Sequence, residues 1–374
     1  MKTKMKKIFR CLLCLLLCLA AFAPAAYAED IPPDGLYSQI PQILAENAEA
    51  ADFAGLLSYS APAARALRPQ NLLLLALSEL KDAFAGNFGG ILTLIAVTFL
   101  AAIIGIFSAN LSSGGKLCEY VTLLGAMLLV FSRIEPLIAS VGAFLSRYLA
   151  FMTSVNGAMG VLLAAGGNVS AAAVSSSSAA FTVGITQILA DGAVLPAARI
   201  VIALSAIGAL SCSLDLSGVI SFLKSFCSWG LGVLFAVFGG VHAAAVHTAA
   251  GGDSLAIRGI RFSAARLVPV AGNMLSESLR TVLSGISVIR GAFGALGILY
   301  VLYSLLPPLM VILSVKCGVL VASFCSKLFG TRPLTSFFDG VNAALNILMA
   351  ICLFASVSGI IIFAVFCGTM STFA

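Results

Sequence analysis

Phe88-Gly-Gly-Ile-Leu-Thr-Leu-Ile-Ala-Val-Thr-Phe-Leu-Ala-Ala-Ile-Ile-Gly-Ile-Phe-Ser-Ala-Asn110 contains no charged side chain. About 20 helical residues cross the ~30 Å hydrocarbon layer of a bilayer, so this stretch reads as one complete crossing. It has company. Leu117 to about Phe131, Tyr148–Gly167, Val194–Cys212, Phe226–Thr248, Gly291–Leu306, Leu309–Phe329 and Val341–Phe366 are all long and apolar. The sequence therefore predicts an all-α, polytopic membrane protein with about eight transmembrane helices.

Composition leads to the same class. The 374 residues are 60% hydrophobic and only 10% charged, and mean hydropathy is +1.09. A soluble surface needs roughly 25–35% charged side chains, so lipid must cover much of this chain. The formal charge of +6 includes Lys2, Lys4, Lys6, Lys7 and Arg10. Without those five the balance is 16 cations against 15 acids, which gives no electrostatic footprint for nucleic acid.

Those five cations open a three-part secretory signal. A basic region, Met1–Arg10, precedes an apolar core, Cys11 to about Phe22, and a small-residue site at Ala26-Tyr27-Ala28. Cleavage is expected after Ala28. The Cys11-Leu-Leu-Cys14 spacing lies inside the discarded core, and the remaining cysteines are scattered singly, so neither a disulfide framework nor a zinc site is expected.

The layout divides into a signal (1–28), an exported segment (29–87), a first group of spans (88–250), a basic segment (251–290) and a last group of spans (291–374). The exported segment has eight acids against three cations; it reads either as two short amphipathic helices at the outer face or as a linker. Pro307-Pro308 removes two consecutive amide donors and predicts a helix break at the outer face. Asn168–Ser178, rich in Ser and Ala, predicts a loop or a helix break. Lys and Arg collect in cytoplasmic loops. With eight spans that rule places Leu111–Lys116, the Asn168 region, Gly251–Arg290 and Lys327–Gly340 inside, and leaves Arg147 and Lys224 in conflict.

Ionisable residues inside lipid cost about 2.5–3.5 kcal/mol each on insertion scales and need partners or water. The candidates are Glu119, Arg199 and Lys316. Each reads either as a cavity-lining group or as one half of a buried interhelical contact, with Glu119 or Asp191 as possible partners for Lys316. Gly291, Gly294 and Gly297 form a shallow ridge where another backbone could approach. His242 and His247 are five apart, poor spacing for metal ligands on one helix face. Gly115-Lys116 lacks the rest of a phosphate loop. No nucleophile–base pair is visible, so no catalytic, cofactor or metal site is expected.

The basic segment holds Arg258, Arg261 and Arg266, then Leu267-Val-Pro269-Val-Ala-Gly272-Asn-Met-Leu-Ser276-Glu277. It is amphipathic, with a Pro-Val-x-Gly break. Arg258, Arg261, Arg266, Pro269, Gly272 and Glu277 are candidates for contact with a partner or with anionic headgroups; the plainer alternative is a basic cytoplasmic loop. This run, together with Leu223-Lys-Ser-Phe-Cys-Ser-Trp229-Gly-Leu-Gly232, resembles the stage III sporulation protein AE family of endospore-forming bacteria. The resemblance implies a multi-pass protein of the mother-cell membrane around the forespore. It further implies a subunit of a mother cell–forespore channel or export apparatus, working with other membrane proteins of its operon and a cytoplasmic secretion-type ATPase. A stand-alone secondary transporter is the rival class.

Overall fold

The structure, a computed structural model, describes residues 69–108, 114–210, 216–267 and 272–368. All of them belong to the unit Gly35–Ala374. The expected signal, including Ala26 and Ala28, and most of the exported segment lie outside the described residues. What is described is helical, with no strand. The helices are α1 (Pro69–Ser108), α2 (Gly114–Ala165), α3 (Val169–Leu189), α4 (Leu195–Leu210), α5 (Ser217–Leu267), α6 (Gly272–Phe329) and α7 (Arg332–Gly368). A π-helical turn, Ala190–Val194, joins α3 to α4. It sits directly before Pro196, which cannot donate to the preceding turn.

Six helical stretches are long and apolar enough to cross a membrane: Leu77–Ala101, Tyr120–Ala165, Val169–Leu210, Gly218–Asp253, Val288–Phe329 and Arg332–Cys367. The all-α polytopic class holds, while the break expected at Pro307-Pro308 does not occur and the one expected over Asn168–Ser178 is confined to the turn at Gly166–Asn168. Asn168–Ser178 is mostly helix. Its hydroxyls bond back to their own helix: Ser176 Oγ donates to the Ala172 carbonyl at 2.5 Å, and Thr182 Oγ1 to Ser178 at 2.8 Å. A run that reads as polar is thus satisfied without water. Pro307-Pro308 lies inside α6. Membrane helices tolerate proline where neighbours meet the released carbonyls. The spans expected as separate on either side of it are one helix, as are the two expected within 117–167.

Two turns show how the chain reverses. Gly167 and Gly330 have φ of +79° and +76°, the left-handed conformation that ends a helix most cheaply at glycine. Thr331 N–H donates to Ser326 O at 3.1 Å and Gly330 N–H to Lys327 O at 3.3 Å, while Asn168 and Gly167 repeat the pattern on Leu163 and Ala164. Both are Schellman closures, which satisfy carbonyls that a helix end leaves unbonded. The Ser326 hydroxyl locks the second turn to Thr331 and Thr335 at 2.7 Å. A β-carbon at Gly330 would meet nothing within 4 Å, so Gly330→Ala isolates backbone strain. It should destabilise by about 1–2 kcal/mol, read as a lower melting temperature in detergent, with Gly330→Asn costing less.

α7 is the most enclosed span. Phe337, Val341, Leu345, Leu348, Ile351 and Phe363 are fully buried, and α2, α4, α5 and α6 pack around it. Small residues allow the close approach. A β-carbon at Gly294 would run into Cys367 Sγ, one at Gly297 into the Phe363 ring, and one at Gly340 into Ser205. Gly294 and Gly297 of the α6 ridge therefore seat α7, while Gly291 is exposed and meets nothing. The outside is apolar, with Leu128, Phe181, Ile188, Phe222 and Trp229 exposed.

Candidate functional site: polar groups within an apolar bundle

Tyr120–Ala165 runs 46 residues, about 69 Å at 1.5 Å per residue, more than twice one hydrocarbon thickness. Polar groups interrupt the apolar surface part-way along it. Arg199 Nη2 of α4 donates to Glu135 Oε1 of α2 at 2.9 Å, with the side chains 52% and 61% exposed. Leu124, Leu128 and Phe131 lie exposed on one side of Glu135 along α2, and Val161 on the other. Ile200 and Ile207 are exposed beside Arg199 on α4. The pair, with exposed Arg133 two residues before Glu135, is therefore a polar patch in a surface that is otherwise largely apolar.

Further along α2, a cleft of ≈ 380 Å³ is lined by Ser140, Arg147, Tyr148, Tyr300, Pro307 and Pro308, among others. Prolines 307 and 308 cannot donate to the carbonyls of Tyr303 and Ser304, and those two residues also line the cleft. The cleft thus lies beside the two carbonyls that the double proline leaves without a donor from its own helix. Tyr148 is almost fully buried and donates its hydroxyl to Ala355 O of α7 at 2.7 Å, which ties the cleft wall to the central helix.

On the α6–α7 seam Lys316 Nζ donates to Asn346 Oδ1 at 2.6 Å. Nearby, Asn87 Nδ2 of α1 donates to Ser314 Oγ at 3.0 Å. At the far end of α6, Arg290 is only 1% exposed. Its guanidinium stands 5.4 Å from the centre of the Phe366 ring, and its Nη2 donates to Cys367 O at 3.4 Å. Arginine suits such a place because its planar, weakly hydrated head can stack on an aromatic face. Between α3 and α5, Ser178 Oγ and His242 Nδ1 are 2.5 Å apart, with His242 Nε2 buried and unpartnered.

The sequence model of one family, stage III sporulation protein AE, matches residues 63–370. The chain belongs to that family. The match covers α1 through α7, a wider span than the two motifs that first carried the resemblance. Neither a curated protein nor a solved structure matches. Family membership makes this a multi-pass sporulation protein.

Of the residues singled out from sequence, the structure brings Arg199 into an ion pair and Lys316 into a hydrogen bond. Among the described side chains the partner of Lys316 is Asn346; Asp191, one expected partner, stands exposed on the π turn instead. Glu119 lies in the opening turns of α2, its side chain outside the described residues. Arg258, Arg261 and Arg266 fall on the last turns of α5, and Gly272 and Glu277 on the first of α6. The side chains of those arginines and of Glu277, and all of Pro269, also lie outside the described residues. Asp253 of α5 accepts from Ala171 N–H at 2.9 Å, which sets the start of the basic segment beside the α2–α3 turn. Lys224 instead shares a cleft with Lys327 and Arg332, on the α6–α7 turn at the opposite end of α6. The segments that the charge rule placed together are thus divided between the two ends of the bundle, and the conflict over Lys224 becomes a grouping with Lys327 and Arg332. Sequence reasoning missed Arg290, Asn346 and the Ser178–His242 pair, because each partner lies far away along the chain.

Proposed function

We propose that this protein is a non-catalytic membrane subunit of the channel or export apparatus that joins mother cell and forespore, seated in the mother-cell membrane. The exposed Arg199–Glu135 pair carries the reading. Charges are costly to leave in an apolar surface, so a flank that displays an ion pair beside the exposed Leu124 and Leu128 is best explained by another subunit that covers it. The family supplies the setting, a stage III sporulation protein. Its implied companions are the other membrane proteins of the operon, the ring formers among them, and a cytoplasmic secretion-type ATPase.

Affinity recovery of the tagged protein from sporulating cells tests the proposal. Co-purification of ring subunits and the ATPase, with loss of spores on deletion, is the expected result; recovery of the protein alone would end it. Reversal of Arg258, Arg261 and Arg266 to glutamate is expected to abolish that recovery while membrane levels hold. Unchanged recovery would remove the basic segment as the docking element. A second reading is a secondary transporter, for which the cleft beside Pro307-Pro308 would serve as the substrate chamber. Substrate uptake by the purified protein in vesicles would put that reading first.

A further inference from the structure

The α6–α7 turn and the start of α5 enclose an open cleft of ≈ 630 Å³. Its charged lining is Lys224 from α5, Lys327 from the end of α6, and Arg332 and Asp339 from α7. Lys327 Nζ meets Asp339 Oδ1 at 3.1 Å, and Ser323 Oγ donates to the same oxygen at 2.9 Å. Asp339 is thereby spent on Lys327. Lys224 and Arg332 are exposed and make no ion pair among the described residues. Two uncompensated cations therefore face one cleft. Arg332 also opens α7, whose first turn carries no acid. A helix N-terminus is already partly positive, so a cation there is unfavourable by itself. The hydroxyls of Ser221 and Ser336 also line it, whereas Thr335 Oγ1 donates to Thr331 O at 3.0 Å. Cations, a helix start and hydroxyl donors make an arrangement complementary to a phosphate group.

The position selects the source of that phosphate. Arg332 begins one apolar span, Lys327 lies two residues before the end of another, and Lys224 is six residues inside a third. The cleft thus lies at the α6–α7 turn, where charged side chains gather at the ends of apolar helices. Round α5, roughly 100° from Ser221 and 160° from Lys224 at 3.6 residues per turn, the rings of Phe222 and Phe226 stack at 6.0 Å. Phe222, Phe226 and Trp229 are 64–71% exposed, a face for acyl chains and the interfacial belt that aromatic residues favour. We propose that this cleft binds an anionic phospholipid, its phosphate between Lys224 and Arg332 and its chains along Phe222, Phe226 and Trp229.

Trp229 is the sole tryptophan, so the site carries its own reporter. The full chain is reconstituted in phosphatidylcholine vesicles and its fluorescence is titrated with phosphatidylglycerol or phosphatidylcholine bearing brominated chains. Brominated phosphatidylglycerol is expected to quench at a several-fold lower mole fraction than brominated phosphatidylcholine. Each lost cation near a membrane surface weakens anionic-lipid binding about fivefold, so Lys224→Gln with Arg332→Gln should merge the two curves. Lys224→Gln alone, which breaks no ion pair, should shift the phosphatidylglycerol curve about fivefold and keeps the test independent of folding. Coincident curves for the wild-type protein, or unchanged selectivity in the variants, would overturn the site. Loss of selectivity on adding millimolar inorganic phosphate would assign the cleft to a soluble anion and overturn the lipid.

Discussion

Replacing Gly297 by leucine is expected to leave almost no folded protein in the membrane. A β-carbon at this position would lie within 2.6 Å of Phe363 Cδ1 and closer still to the ring edge. Phe363 is fully buried on α7, so it has no solvent side into which to retreat. Overpacking one methylene into a tight core costs about 1–3 kcal/mol, and leucine adds four carbons against the helix that every inner neighbour touches. Membrane helices associate through packing, since lipid is as apolar as leucine; a lost contact surface has no hydrophobic term to replace it. The direct measurement is the fraction resisting protease in detergent, with its melting temperature. Gly297→Leu combined with Phe363→Ala should recover much of the loss, because the two residues occupy one space and their effects cannot add. A Gly297→Leu protein that melts like the wild type would show that α6 and α7 do not meet at this ridge.

The second large effect separates folding from assembly. Arg199→Leu leaves the Glu135 carboxylate without its partner in an apolar surface, a penalty of about 2–3 kcal/mol, and should lower membrane levels sharply. Arg199→Leu with Glu135→Leu removes both charges, and replacing an ion pair by apolar residues is often neutral or stabilising. The double variant should therefore regain wild-type melting and yet fail to recover partner subunits, because the polar contact they cover has gone. Spore formation would fall with it. Normal recovery of partners by a well-folded double variant would mean that the pair serves only the protein's own helices.

The sequence made some features of the site legible and concealed others. Lys316 and Arg199 stood out because a charge in an apolar run is rare and costly. Their partners did not: Asn346 is 30 residues from Lys316, and Glu135 is 64 from Arg199. Arg290 escaped notice at the edge of a basic segment, where an arginine reads as one solvated charge among several; only the return of α7 sets Phe366 over it. The breaks expected at Asn168–Ser178 and Pro307-Pro308 rest on rules for helices in water. In an apolar bundle the hydroxyls bond to their own helix, and the cleft beside the prolines accommodates the groups they release.

Composition and periodicity by themselves determined that this chain is helical and lives in lipid, because so few charges cannot keep so much apolar surface in water. They also marked the α6 glycine ridge as a place of close approach, since three missing β-carbons on one face leave room that a neighbour can fill. Only the tertiary structure decided how many helices those apolar runs make, that α7 is the helix seated on the ridge, and that Lys224 joins Lys327 and Arg332. Those outcomes depend on contacts between residues far apart in the chain, and no local pattern encodes which distant helix will supply the matching surface.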